Sequence, residues 1–126
     1  MVEGAEREWY VRTQFPLLAW SSLASAFSLR DTFANASARS AGYSPCVAYD
    51  SPANVARLER AATLAAQKQA SPAQIAIAYV LNDCMNTFSV VSSSNISHME
   101  QNLAAAGIHL TEPERRWLNL ESDRVF

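Results

Sequence analysis

Two stretches of this 126-residue chain carry residue types that suit an anionic, ring-bearing ligand: Trp20-Ser21-Ser22-Leu23-Ala24-Ser25 and Ser92-Ser93-Ser94-Asn95. Hydroxyls and backbone N–H groups can donate to a phosphate. A helix that starts immediately afterwards adds the positive end of its dipole. The second stretch is followed by such a helix signal. Trp20 offers a flat face on which a heterocycle can stack. The plain alternative is that serines after strands only turn and cap the chain, and that Trp20 belongs to the core.

Classical nucleophile or metal chemistry has little to work with. His98 and His109 are the two histidines, and neither stands in a recognisable nucleophile motif with Ser, Cys or a carboxylate. Cys46 and Cys84 are isolated, with no CxxC and no histidine at ligand spacing. Two reduced cysteines in a cytoplasmic protein is the simpler reading, and a disulfide is the other. Lys68 is the only lysine. Flanked by Gln67 and Gln69 at a helix end, it reads as a solvated charge.

The elements that would position the two stretches can be read from pattern. Residues 3–14 read as the tail of a helix. Residues 15–20 form a short apolar run bounded by Pro16 and serines, which predicts a strand buried on both faces. Residues 21–50 lose periodicity. A loop that long is usually functional or disordered, and Phe27, Phe33 and Tyr43 within it either line a pocket or bury themselves.

Ser51-Pro52 opens a helix running to about Gln69, with Val55, Leu58, Ala62 and Ala65 as its stripe and Leu64 beside them. Ser71-Pro72-Ala73-Gln74 is a capping box for a second, more buried helix through 75–81. Residues 88–91 predict another short buried strand. Ser97-His98-Met99-Glu100 reads as a capping box for a helix ending at Gly107 in the left-handed position. Thr111-Glu112-Pro113-Glu114 caps a last helix through Trp117 and Leu120.

Strands alternating with helices predict an α/β fold with parallel strands and right-handed crossovers. Two strands alone leave unpaired edges on both sides, so the pattern looks cut from a larger sheet. In parallel α/β folds ligands bind beyond the carboxyl ends of strands, which is where both serine stretches fall.

Composition narrows the partners. Hydrophobic residues make up 49% and charged residues 17%, as in a globular domain. The net charge of −2 and the absence of a basic block argue against nucleic acid. The longest apolar run, 75–81, is too short to span a bilayer, and the charged amino-terminal residues do not read as a secretory signal.

The segment Arg7-Glu8-Trp9-Tyr10-Val11-Arg12-Thr13-Gln14-Phe15-Pro16-Leu17-Leu18-Ala19-Trp20-Ser21-Ser22-Leu23-Ala24 resembles the seventh-strand region of aldo-keto reductases. The run from Asp50-Ser51-Pro52-Ala53-Asn54 through Ala76-Ile77-Ala78-Tyr79-Val80-Leu81-Asn82 is similar to the family's seventh helical segment. Residues 92–102 and Ile108-His109-Leu110-Thr111-Glu112-Pro113-Glu114 are similar to its eighth strand, eighth helix and final helix. The resemblance implies the carboxyl-terminal fragment of a (β/α)8 TIM barrel, strands 7 and 8 with their helices, with residues 1–126 as one partial domain.

It also implies a nicotinamide dinucleotide as partner. The family's stacking aromatic corresponds to Trp20, and its pyrophosphate contacts to Ser21, Leu23 and Ser25. The adenosine end corresponds to Ser93, Ser94, Asn95, His98, Gln101 and Asn102. Members selective for NADP usually carry Arg or Lys near 92 or 94, and often Arg near 98, to pair with the 2′-phosphate. This chain has Ser, Ser and His there, and Gln101 where Glu is usual. The bidentate guanidinium contact is missing, so the resemblance implies weak discrimination between NADP and NAD, or weak binding of either. Serine at 92 replaces a glycine. If that position needs positive φ, the exchange costs stability or shifts the loop.

In this family a tyrosine donates a proton while hydride passes from nicotinamide to a carbonyl. A lysine held by an aspartate lowers the tyrosine's pKa, and a histidine orients the carbonyl. The resemblance places those four residues upstream of everything in these 126, and Tyr10, Tyr43, Tyr49 and Tyr79 lack a lysine to tune them. The expectation is an oxidoreductase relative without catalytic residues of its own, which meets a small carbonyl substrate only in a complete barrel. The alternative is a non-catalytic nucleotide- or partner-binding module that docks, or self-associates, through exposed strand edges.

Overall fold

A computed structural model describes residues 3–23 and 51–124. In chain order they form α1 (Gly4–Thr13), β1 (Leu17–Ala19), α2 (Pro52–Lys68), α3 (Pro72–Leu81), β2 (Thr87–Ser89), α4 (Ile96–Ala104) and α5 (Glu112–Leu118). The expected loop region 24–50, including Phe27, Phe33, Tyr43, Tyr49 and Cys46, lies outside the described residues.

Three of the helices start where hydroxyl caps predicted. Ser51 accepts from the Asn54 N–H at the start of α2, and Pro52 supplies a preset φ at its first position. Ser71 and Gln74 form a complete capping box on α3, as do Thr111 and Glu114 on α5. The fourth start differs. The cap of α4 is Asn95, whose side-chain oxygen accepts from the N–H groups of Ser97 and His98. The Ser97/Glu100 capping box is not formed. Ser93 sets up this arrangement, because its hydroxyl oxygen accepts from the Asn95 N–H at 3.0 Å and turns the chain two residues earlier.

The other end of α4 also departs from expectation. The helix passes into a single 3-10 turn, Ala105–Gly107. Gly107 does not adopt a left-handed φ; among the described residues the positive-φ positions are Gly4, Gln14, Ser21, Gln69 and Leu120.

The core is made by helices. Ala61, Leu64 and Ala65 of α2 pack with Ile75 and Ala78 of α3, Leu110, and Trp117 and Leu118 of α5. Leu64, Ile75 and Ile77 are fully enclosed, each contributing roughly 1.5–3 kcal/mol through burial. The predicted stripe of α2 is off by one position at its centre: Ala61 is buried and Ala62 exposed. Asn82 at the end of α3 ties the core to the chain before α5. Its amide donates to the carbonyls of Ala78 and Ile108, and its oxygen accepts from the Leu110 N–H.

The two strands pair in parallel, with Leu17 opposite Thr87, Leu18 opposite Phe88 and Ala19 opposite Ser89. They are not buried on both faces. Leu17, Ala19, Thr87 and Ser89 are half-buried, and the Thr87 hydroxyl donates to the Val80 carbonyl of α3. Leu18 and Phe88 point to the opposite face and are 61% and 48% exposed. The physical reason is the strand period of two: helices cover one face, and no described element covers the other.

Candidate functional site

Parallel pairing sends both chain segments out of the same end of the sheet. Beyond the last register pair, the Val90 N–H still donates to the Ala19 carbonyl at 3.0 Å. Trp20 and the run toward Ser92 therefore leave side by side. At that end Trp20 is 78% exposed and opens the turn 20–23. Ser21 takes φ 55, a left-handed conformation that ordinarily costs a non-glycine residue about 1 kcal/mol. The strain anticipated at Ser92 falls here instead, since Ser92 keeps an ordinary φ. The Ser22 hydroxyl donates to the Ala19 carbonyl at 3.1 Å, and Leu23 is half-buried. Ser25 lies outside the described residues.

Across the sheet end, Ser94, Asn95, His98 and Gln101 are exposed and Ser93 is half-buried. His98 and Gln101 lie three residues apart and so share one side of α4. The Gln101 carbonyl accepts from the Gln74 amide at 3.1 Å. Asn102 behaves differently and is buried. Because Asn95 already engages two N–H groups of the first turn of α4, most of the anion-binding capacity of that helix start is used internally. No Lys or Arg occurs between 92 and 102. A dinucleotide would find an open ring and hydroxyls here, and among the described residues of these two stretches no Lys or Arg for a terminal phosphate.

A cavity of about 510 Å³ adjoins the first stretch only. Trp20, Ser21, Ser22 and Leu23 line it, together with residues of α2, α3 and the end of α5. None of Ser93, Ser94, Asn95, His98, Gln101 and Asn102 does. The structure thus brings the two stretches to one end of the sheet without joining them in one enclosed pocket.

Pattern reading missed a charged cluster at the opposite end of the strands. Asp83, just after α3, accepts from Arg7 of α1 at 3.1 and 3.3 Å and from Arg115 of α5 at 2.8 Å. Its Oδ1 also accepts from the Met85 N–H at 2.9 Å. Burial works against the Asp83 charge, but the Met85 N–H and the two guanidiniums outweigh it and hold its pKa below the usual aspartate value. Arg115 lies over the Tyr79 ring, 5.5 Å from its centre. Burial pushes the Tyr79 hydroxyl pKa up, and Arg115 offsets this only in part. That is the wrong direction for a tuned proton donor. The partners are 76 and 32 positions away from Asp83 in sequence, beyond any local spacing rule.

Lys68 also corrects its expectation. It is not a solvated charge: its ammonium pairs with Glu114 at 2.9 Å and donates to the His109 carbonyl at 3.0 Å. Burial of Glu114 opposes its charge, but Lys68 and the Thr111 groups hold its pKa below the usual glutamate value. Among the described residues no group of three His, Cys, Asp or Glu side chains could hold a metal ion. No described helix is long and apolar enough to cross a membrane. Cys84 is exposed and not in a disulfide.

Against known families, the model of the Aldo/keto reductase family matches residues 7–117. The chain belongs to the aldo/keto reductase family. The match runs from Arg7 in α1 to Trp117 in α5, so every described element of this aldo/keto reductase chain falls within it in whole or in part. Comparison with curated proteins and with solved structures gives no match. Family membership brings oxidoreductase chemistry with a nicotinamide cofactor as the general frame.

Proposed function

We propose that these residues are the carboxyl-terminal part of an aldo/keto reductase (β/α)8 barrel, with β1 and β2 as its seventh and eighth strands and residues 1–126 as part of one domain. The observation that carries the reading is the parallel register, which delivers Trp20 and the triple-serine turn to one end of the sheet. Trp20 stacks on the nicotinamide, while Ser21, Leu23 and Ser25 contact the pyrophosphate. Ser93, Ser94, Asn95, His98, Gln101 and Asn102 hold the adenosine end. When bound, the nicotinamide supplies the hydride for carbonyl reduction. With Ser and His in place of Arg at the 2′-phosphate positions, NADP and NAD bind with little preference. The protein works in the cytoplasm.

By themselves residues 1–126 reduce no carbonyl, since the Asp, Tyr, Lys and His of the family's reaction have no counterpart here. Lys68 is committed to Glu114, and Tyr79 lies under Arg115. Turnover of an aldehyde by the purified chain, abolished by replacing any one of its tyrosines with Phe, would contradict this.

Titration of tryptophan fluorescence with NADPH tests the cofactor reading. Trp9 and Trp117 also emit, so Trp20→Phe is the control. Saturable quenching that is mostly lost in Trp20→Phe is expected, with NADH giving a similar curve. A flat titration refutes cofactor binding. It would favour a second reading, docking onto another chain, which the exposure of Leu18 and Phe88 on the uncovered sheet face supports.

A further inference from the structure

The 510 Å³ cavity is within the roughly 300–1,000 Å³ range of small-molecule sites; Trp20, Ser21 and Leu23 border it, while its walls on α2, α3 and α5 have no part in the cofactor reading. Leu58, Ile75, Val80 and Leu118 give it apolar walls. Two charged side chains also line it, Arg57 and Asp83. Asp83 is already held by two guanidiniums. Arg57 is the arginine on this wall, and it differs from the paired ones. Arg7, Arg60, Arg115 and Arg116 each pair with a carboxylate, whereas among the described residues none pairs with Arg57. Its Nη1 donates to Asn54 Oδ1 at 3.0 Å, and its Nε is buried without a hydrogen-bond partner.

A buried guanidinium N–H left unmatched is costly and calls for an explanation in a native structure. We propose that this cavity binds an amphipathic monocarboxylate, its alkyl chain against the walls formed by α2, α3 and α5 and its carboxylate on the Arg57 guanidinium. One cation at the edge of an apolar chamber matches one carboxylate. A phosphate ester would want a second cation, and among the described residues the other charge on the wall is negative. The carboxylate site at Arg57 uses none of the proposed dinucleotide contacts, although Trp20, Ser21 and Leu23 border the same cavity, so the proposal does not depend on the cofactor reading.

Isothermal titration of the full chain with dodecanoate, kept below its micellar concentration, tests this, with dodecanol as the uncharged comparison. Dodecanoate is expected to bind one-to-one and at least tenfold more tightly than dodecanol. Arg57→Gln should remove that preference, weakening dodecanoate tenfold or more while leaving dodecanol unchanged. Ala76→Phe, which narrows the chamber from a half-exposed position on α3, should abolish both. Absence of saturable binding, equal affinity for acid and alcohol, or dodecanoate binding that survives Arg57→Gln each overturns the proposal. If Ala76→Phe loses its helical circular dichroism, the Arg57→Gln comparison decides alone. NADPH quenching in Arg57→Gln should match the unaltered chain, which separates a failure here from a failure of the cofactor site.

Discussion

Asp83 is the residue on which three distant parts of the chain converge. Its side chain and that of Arg115 are each only 11% exposed, while Arg7 is 33% exposed. Removing the carboxylate charge leaves two guanidiniums facing each other with no anion between them. Asp83→Asn should therefore cost about 2–3 kcal/mol in urea unfolding at neutral pH, the partial exposure of Arg7 discounting the usual penalty. The pH dependence has a definite sign. Asp83 and Glu114 both titrate below their ordinary values in the folded chain. Their stabilisation is complete above the unfolded carboxylate pKa of about 4 and is lost as pH falls through the lower folded values. The stability curves of the original chain and Asp83→Asn should converge as pH falls from about 5 through the lowered folded pKa of Asp83. A constant gap across that range would show that Asp83 acts by shape and not by charge.

None of this cluster was legible beforehand, because charge pairing across 76 positions depends on how helices pack and not on spacing. The capping residues were legible. Ser51, Ser71 and Thr111 act through N–H groups three positions away, so the local chain suffices to identify them. At α4 the local signal was ambiguous, since Asn95 and Ser97 are both capping types two residues apart. The Ser-x-x-Glu spacing favoured Ser97, but the Ser93–Asn95 turn decides for Asn95. That difference can be measured. Asn95→Ala should destabilise the chain by about 1 kcal/mol, whereas Ser97→Ala should lie within about 0.5 kcal/mol of the unaltered protein. The reverse ranking in thermal or urea unfolding would restore the original capping box. Under the cofactor reading, Asn95→Ala should also weaken NADPH quenching, because it loosens the turn that presents Ser93 and Ser94.

For the molecule as a whole, alternation of strand and helix correctly indicated an α/β arrangement with parallel strands. The burial of those strands was misjudged. An apolar run such as Phe15 to Trp20 says that a strand should be covered, and the covering partners are named only by the tertiary structure. Here α3 covers one face, and Leu18, Phe88 and Trp20 remain open. In β1 and β2 the hydrogen-bonding groups on the sides away from each other lack strand partners among the described residues. An open apolar face beside open edges is a template for association. The isolated chain should elute from a sizing column as a dimer or larger, with the proportion rising with concentration. Leu18→Glu places a charge at the centre of that face and should shift the chain toward monomer. Because Leu18 is already 61% exposed, the exchange should change unfolding stability by less than about 1 kcal/mol. A concentration-independent monomer before substitution would mean that the face is covered within the chain itself. Association unaffected by Leu18→Glu would move the contact to another surface, with the exposed Ile96 and Leu103 of α4 the next to substitute.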